Sequence, residues 1–219
     1  MAVPTRREAA ALLLTCSPPP WLLAHVTAVA EVAAFLGARI AARGYAIDRR
    51  LVETAALLHD IDKLLSAGDP RLSLGHGDAG ARWLTDQGYG ELARAVASHP
   101  VTRLADGERF RRWSAFASRE ERIVAYADKR AGQRLEPLSR RFADWAERYP
   151  EHRRDLAAAR PRAERLERDV CAAASLRPVD VRRLRWVGAA LRAAAPQTTP
   201  RQATARQAGP REATGASGT

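Results

Sequence analysis

The sequence predicts an all-α protein, mainly from its composition. Apolar residues make up 46% of the 219 residues, whereas aromatic residues make up only 6%. Alanine and leucine supply most of the apolar content, and both residues favour helices over strands. Alternating runs of β-branched and aromatic residues, which mark strands, are hard to find. The chain is long enough to bury a core without disulfides, as one large domain or two small ones.

Charge and cysteine content limit the classes of function. A net charge of +11 permits polyanionic partners such as nucleotides, nucleic acid or an anionic membrane surface. The arginines are scattered over predicted helices, so solvated helix faces explain them better than a nucleic-acid surface does. Two cysteines, Cys16 and Cys171, cannot build a disulfide framework or a Cys-rich zinc site. The sequence lacks a run of eighteen apolar residues and a signal-peptide pattern, so we expect a cytoplasmic protein without a membrane partner.

Prolines separate the first two predicted helices. Residues 5–15 predict a short helix that must end at residues 17–20, SPPP, because proline removes a backbone donor and clashes with the preceding turn. Pro20 suits the first turn of a second helix, which runs to about Arg43 and ends at Gly44. His25 lies on the apolar stripe of this helix. A lone histidine in a core is more often structural than a metal ligand.

The third predicted helix carries the most informative stretch, LVETAALLHDIDK, at residues 51–63. Asp48 caps this helix, and its apolar stripe continues into His59, which Asp60 follows directly. An imidazole nitrogen and a carboxylate oxygen at a helix end can lean towards one point and bind a borderline divalent metal. From this stretch alone, the alternative is a half-buried histidine beside a surface aspartate.

Two shorter helices follow a loop that is rich in glycine, proline, aspartate and serine. The first runs to about Gln87 and has His76 at its N-terminus. The second ends at His99, because Pro100 follows. For either histidine alone, a capping or surface role is the default interpretation. Residues 101–117 predict an irregular segment, which is either a flap over a pocket or a packed loop.

The remaining helices are predicted from caps and apolar stripes. Ser118 caps a helix with Glu121 at the capping-box position, and this helix ends at Asp128. A carboxylate on the inner side of an apolar helix needs a positive partner, either a metal or an arginine. Core packing is predicted for the stripe that follows, with a cofactor site as the alternative; its members are Leu138, Phe142, Trp145 and Tyr149. Helices near 152–174 and 178–194 predict a C-terminal hairpin, and the tail beyond Ala195 predicts disorder.

Six candidate ligands occur in the order His, His-Asp, His, His, Asp, and each lies at a helix end or on an inner stripe. They are His25, His59, Asp60, His76, His99 and Asp128. On the segments WLLAHVTAVAEVA, AALLHDIDK, GHGDAGARWL, AVASHP and RIVAYADKR, the chain resembles the HD-domain metal-dependent phosphohydrolases. AALLHDIDK is the most specific of the five. The ligand order is similar to that of bacterial HD hydrolases that split dinucleoside tetraphosphates.

The resemblance implies an all-helical HD bundle that holds two divalent ions of iron, manganese or zinc. By position, His25, His59, Asp60 and Asp128 would hold the first ion. Asp60 would bridge to the second ion, which His76 and His99 would complete. The implied reaction is hydrolysis of a phosphate ester or anhydride of a nucleotide by a metal-bridged hydroxide.

The only two lysines in the chain border the candidate ligands. The resemblance assigns catalysis to Asp60 together with Lys63, whose ammonium would bind phosphate and stabilise its charge. Lys129 and Arg130 are weaker candidates for contact with the substrate. Asp62, where many relatives have glycine, would support a ligand or assist a proton transfer.

The resemblance also suggests how the chain is divided. We predict an N-terminal helix and Pro-rich link (1–19), a metal-binding core (20–135), C-terminal helices packed on the core (136–195) and a disordered tail (196–219). The alternative function is a nucleotide-binding regulator with little turnover, and association with RNA or DNA is less favoured.

Overall fold

The structure, a computed structural model, describes residues 2–195. Within this range the protein contains eleven α-helices, five short 3-10 helices and no strand, which confirms the all-α prediction. The α-helices are α1 (Arg6–Thr15), α2 (Pro20–Ala42), α3 (Arg49–Leu58), α4 (Asp78–Asp86), α5 (Ala93–Ser98), α6 (Thr102–Ala105), α7 (Gly107–Phe116), α8 (Arg119–Arg130), α9 (Leu138–Arg148), α10 (Arg153–Ala174) and α11 (Val187–Ala194). The 3-10 helices are Ile61–Leu64, Pro70–Leu74, Gly90–Leu92, Pro150–His152 and Pro178–Asp180. The predicted disordered tail, 196–219, lies outside the described residues.

Helix α2 forms the centre of the core. It begins at Pro20, where a missing backbone donor costs nothing, and it packs against α3, α8, α10 and α11. By length and mean hydropathy it is the one described helix that could cross a membrane, although Glu31 and Arg39 interrupt its apolar sequence. Since 61% of its most apolar stretch is buried inside the protein, α2 serves here as a core helix.

Side-chain caps fix the beginnings of the helices that lead to the site. The Leu51 backbone N–H donates to Asp48 Oδ1 over 2.9 Å, so Asp48 starts α3 as predicted. Ser118 and Glu121 form the predicted capping box of α8, with each side chain accepting from the other's backbone N–H. These caps satisfy donors that the first turn of a helix leaves unpaired.

Residues 101–117 are helical, so the predicted irregular segment is wrong. They form α6 and α7, which meet at Asp106. The Asp106 side chain accepts from the backbone N–H groups of Glu108 and Arg109 at 2.9 and 3.1 Å and thereby starts α7. Phe110 and Trp113 lie at helical spacing, with their rings tilted against each other and the ring centroids 6.0 Å apart. The cap and this aromatic pair explain why the segment is ordered as helix.

The C-terminal region differs from the predicted hairpin. Helix α10 is present over the expected residues, but 181–186 lie between a 3-10 turn and α11 and are not helical. Contacts with α2 hold this segment, because the Leu184 N–H donates to the Glu31 carbonyl and Arg183 pairs with the Glu31 carboxylate at 2.8 Å. Trp186 is buried. Helix α11 packs chiefly against α1, and one contiguous core includes residues from α1 to α11.

Candidate metal centre

Six side chains from five helical regions meet at one point. Helix ends position most of them, because the chain leaves a helix there and the last side chains turn towards a common space. His25 lies in the second turn of α2, His59 caps the end of α3 and precedes Asp60, His76 lies two residues before α4, His99 caps the end of α5, and Asp128 lies in the last turn of α8.

The first group of ligand atoms comes from α2, α3 and α8. The Nε2 atoms of His25 and His59 are 3.1 Å apart. His25 Nε2 lies 3.2 Å from Asp60 Oδ2 and 3.4 Å from Asp128 Oδ1. His59 Nε2 lies 3.5 and 3.6 Å from the same two oxygens. Two nitrogens and two oxygens therefore surround one small space.

The second group lies on the other side of Asp60. The Nε2 atoms of His76 and His99 are 3.1 Å apart, and each lies 3.4 Å from Asp60 Oδ1. The two oxygens of Asp60 therefore face two different groups of histidines. A carboxylate in this position can join two cations.

All four histidines of the cluster use Nδ1 for a hydrogen bond inside the protein. The acceptors are the Gly132 carbonyl for His25 (2.9 Å), the Ala56 carbonyl for His59 (2.8 Å), Asp62 Oδ2 for His76 (2.8 Å) and the Val96 carbonyl for His99 (2.6 Å). In a neutral ring, an Nδ1 that donates leaves Nε2 with a bare lone pair. Two Nε2 lone pairs 3.1 Å apart repel each other unless a proton or a metal ion lies between them.

The donor set fits a first-row divalent metal. Ligand bonds of about 2.0–2.2 Å place neighbouring ligand atoms roughly 2.8–3.6 Å apart in octahedral or tetrahedral geometry. The distances in both groups, 3.1–3.6 Å, fall in this range. Mixed imidazole and carboxylate ligands suit zinc, iron or manganese. Three overlapping triads can each hold an ion: His25–His59–Asp128, His59–Asp60–His99 and Asp60–Asp62–His76.

Burial and the neighbouring charged groups shift the pKa values of four of the clustered side chains. These are Asp60, Asp128, His25 and His99. Burial raises the pKa of Asp60, but the nearby histidines outweigh it and hold that pKa well below its ordinary value. Burial likewise raises the pKa of Asp128, and Lys129 with the histidines lowers it well below normal. Burial lowers the pKa of His25, whereas hydrogen bonds to Asp128 and Asp60 raise it to about 9. Burial lowers the pKa of His99 to about 4, which keeps its lone pair available.

A model of the HD domain family matches residues 22–132, about half of the chain, and this range contains all six clustered side chains. The chain belongs to the HD domain family. No curated protein and no solved structure matches it. HD domains generally bind divalent metals, which agrees with the donor set. The matched range ends before α9, so the C-terminal helices lie outside the family match.

We call the six clustered side chains the HD centre. Lys63 lies at its edge. Its Nζ is 2.7 Å from Asp60 Oδ2, and its side chain is 40% exposed. Burial alone lowers the pKa of Lys63, but the carboxylates of Asp60 and Asp128 raise it above its ordinary value. A charged ammonium group therefore lies next to the ligand shared by both groups.

Asp62 is buried behind His76. Its Oδ2 accepts hydrogen bonds from His76 Nδ1 and from the Gly77 N–H, at 2.8 and 2.9 Å. This position matches the support of a ligand, which was one of its two predicted roles. Gly77 has a φ of +85°, and a Cβ there would come within 2.7 Å of Pro100, so glycine is required at the turn that brings His76 into place.

The side chains of Lys129 and Arg130 make their contacts inside the protein. Lys129 is buried and donates to the His99 carbonyl and to Asp128 Oδ2. Arg130 Nη1 donates to Glu167 Oε1 over 2.8 Å and to the Tyr126 hydroxyl over 2.9 Å. Neither lines the cavity, so their positions do not support the predicted contact with a substrate. Both hold α8 against neighbouring parts of the fold.

The centre opens into a cavity of about 450 Å³. Its wall includes Lys63 and all the clustered ligands except His59. Among the other residues of the wall are Trp21, Gln133, Arg141 and Arg148, which were not predicted as site residues. The Arg141 guanidinium stacks over the Trp145 ring at 4.5 Å and makes no ion pair within residues 2–195. Two positively charged side chains therefore face the same space as the HD centre.

The stripe on α9 has two environments. Leu138 and Phe142 are buried, as predicted for core packing, but Trp145 and Tyr149 line the cavity. The sequence does contain a pattern that indicates this face. Trp145 and Arg148 follow Arg141 by four and seven residues, which places all three side chains on one face of the helix. This basic and aromatic stripe is the part of the cavity that sequence reasoning missed.

Proposed function

We propose that the protein is a cytoplasmic, metal-dependent phosphohydrolase that cleaves a phosphate ester or anhydride of a nucleotide. One observation carries the proposal: the two oxygens of Asp60 face two groups of histidines whose Nε2 atoms converge. This arrangement suits a pair of cations and has no evident purpose without them. Such ions, when bound, supply Lewis-acid stabilisation of phosphoryl charge and make water more acidic.

Different side chains would hold the ions, orient the histidine rings and stabilise charge on the substrate. His25, His59 and Asp128 would hold one ion, His76 and His99 the other, and Asp60 both. The carbonyls and the Asp62 carboxylate that accept from Nδ1 keep each ring oriented for this task. Lys63 lies beside Asp60 and can stabilise negative charge that grows on a phosphoryl oxygen.

The cavity wall favours a nucleotide over a simple phosphate. Arg141 and Arg148 face the cavity without a carboxylate partner in the described part of the chain and can bind phosphates beyond the one that reacts. Trp21 and Trp145 add aromatic surface to the same wall. A ligand with several negative charges and a flat ring satisfies both features.

The proposal is tested by phosphate release. Purified protein is stripped of metal, reloaded separately with Mn, Fe, Zn or Mg, and assayed on nucleoside mono-, di- and triphosphates and on dinucleoside polyphosphates. We expect turnover of at least one nucleotide with a transition metal, its loss on chelation and its return when the metal is restored. Tight nucleotide binding without turnover under every metal would favour the regulatory alternative.

Replacing Lys63 by alanine is expected to lower kcat for phosphate release by about 10²-fold, because a preorganised positive charge near the reacting phosphoryl group is lost. Metal content should stay at the wild-type level, since Lys63 donates no ligand atom. Arg82→Ala serves as the control, because this exposed arginine pairs with Asp86 on the surface of α4 and does not line the cavity. Equal kcat values for both variants would show that Lys63 takes no part in the reaction.

A further inference from the structure

A second cavity, of about 250 Å³, lies between α6, α9 and α10. It is next to the cavity of the HD centre. The two cavities share a wall, because Val101, Thr102, Trp145 and Tyr149 line both. We call the second cavity the side pocket. The side pocket therefore lies directly beside the cavity of the HD centre, with Trp145 and Tyr149 at their common border.

The interior of the side pocket is apolar and lined by small or aliphatic side chains. Ala105, Leu156 and Ala159 form this interior, and the last two are buried. The alanines leave space beside the indole of Trp145 and the phenol ring of Tyr149. A flat ring can stack on these aromatic side chains, as bases do in proteins that bind single-stranded nucleic acids.

One carboxylate lies at the rim of this apolar space. Asp155 lines the side pocket and makes no ion pair or hydrogen bond within the described residues, although arginines are abundant on α10. A carboxylate accepts hydrogen bonds only, so it favours a ligand edge that carries N–H donors. Amino groups on adenine and guanine are donors of this kind.

We propose that the side pocket binds the base of a purine nucleotide, with Asp155 accepting from the exocyclic amino group. The proposal rests on the proposed function for the placement of the phosphate at the HD centre, and it names the substrate class. Most of the side pocket comes from residues 145–159, beyond the range matched by the HD domain. The pocket therefore gives this chain a base preference that the HD centre does not supply.

The test measures binding of nucleosides, which carry no phosphate and cannot be hydrolysed. Calorimetry compares adenosine and guanosine with purine riboside, which keeps the purine and ribose but carries no amino group and no N–H donor on the base. We expect adenosine or guanosine to bind wild-type protein at least 10-fold more tightly than purine riboside. Ala105→Phe, which fills the pocket, should weaken that binding at least 10-fold, whereas the control Ala157→Phe, on an exposed position of α10, should not.

Asp155→Ala provides a second variant whose exposed position keeps the fold intact. It should bring the affinities of adenosine and guanosine down to that of purine riboside. Equal affinities for all three nucleosides in wild-type protein, or undiminished binding by Ala105→Phe, would overturn the proposal. These outcomes do not depend on turnover, so a protein that binds purines but releases no phosphate contradicts the proposed function and leaves the side pocket standing.

Discussion

Asp60→Asn is expected to lower kcat for phosphate release by at least about 10³-fold, because stabilisation by the metals is worth several kcal/mol. Asp60 is 1% exposed and supplies one oxygen to each group of histidines. Asparagine keeps the shape but offers one neutral oxygen and one N–H₂ group, which would point a donor at one of the two ion positions. Purified D60N should therefore also contain less metal than the wild-type protein.

Asp169→Asn is the matched control for this variant. Asp169 lies on the surface of α10, pairs with Arg122 at 3.5 Å and does not line the cavity of the HD centre. The same chemical change there should leave kcat and metal content at wild-type values. A D60N protein that kept full metal content and turnover would contradict the assignment of Asp60 as the ligand shared by two ions.

Arg130→Met is expected to destabilise the protein by about 3 kcal/mol, because it leaves the Glu167 carboxylate without its buried partner. Arg130 is 5% exposed, and its guanidinium bonds Glu167, the Tyr126 hydroxyl and the Pro178 carbonyl. For a domain of this length, the loss corresponds to a decrease in Tm of roughly 6–12 °C. Thermal unfolding followed by circular dichroism measures it.

A surface ion pair on the same helix as Glu167 provides the comparison. Arg160 is 51% exposed and pairs with Glu164 at 3.0 Å, so Arg160→Met should cost less than about 1 kcal/mol. R130M should retain wild-type kcat/KM at low temperature, because Arg130 does not line the cavity. A lower kcat/KM with unchanged Tm would instead restore the sequence-based prediction that Arg130 contacts the substrate.

The convergence of the histidines was predictable because the order of ligands along the chain carries the information. Each histidine occupies a helix end or an inner stripe, and helix ends in a bundle meet at common points. Lys129 shows the limit of this reasoning. It follows Asp128 directly in the sequence, but its ammonium group is buried between the Asp128 carboxylate and the His99 carbonyl and does not line the cavity.

The parts that were not predictable depend on contacts between distant segments. The apolar spacing of 181–191 suits a helix, but hydrogen bonds to Glu31, about 150 residues earlier, hold 181–186 in another conformation. On a helical wheel, the apolar stripe of α9 predicts core packing along its whole length. The sequence does not show that the end of this stripe lies over a cavity. In both places, the deciding partner is absent from the local pattern.

The metal content of the purified wild-type protein tests the central claim most directly. Elemental analysis after incubation with Mn, Fe and Zn should give about two ions per chain, and the value should fall in both His59→Ala and His99→Ala, which remove one ligand from each group. Wild-type protein that stays free of metal after this treatment, or variants that retain the full content, would contradict the account.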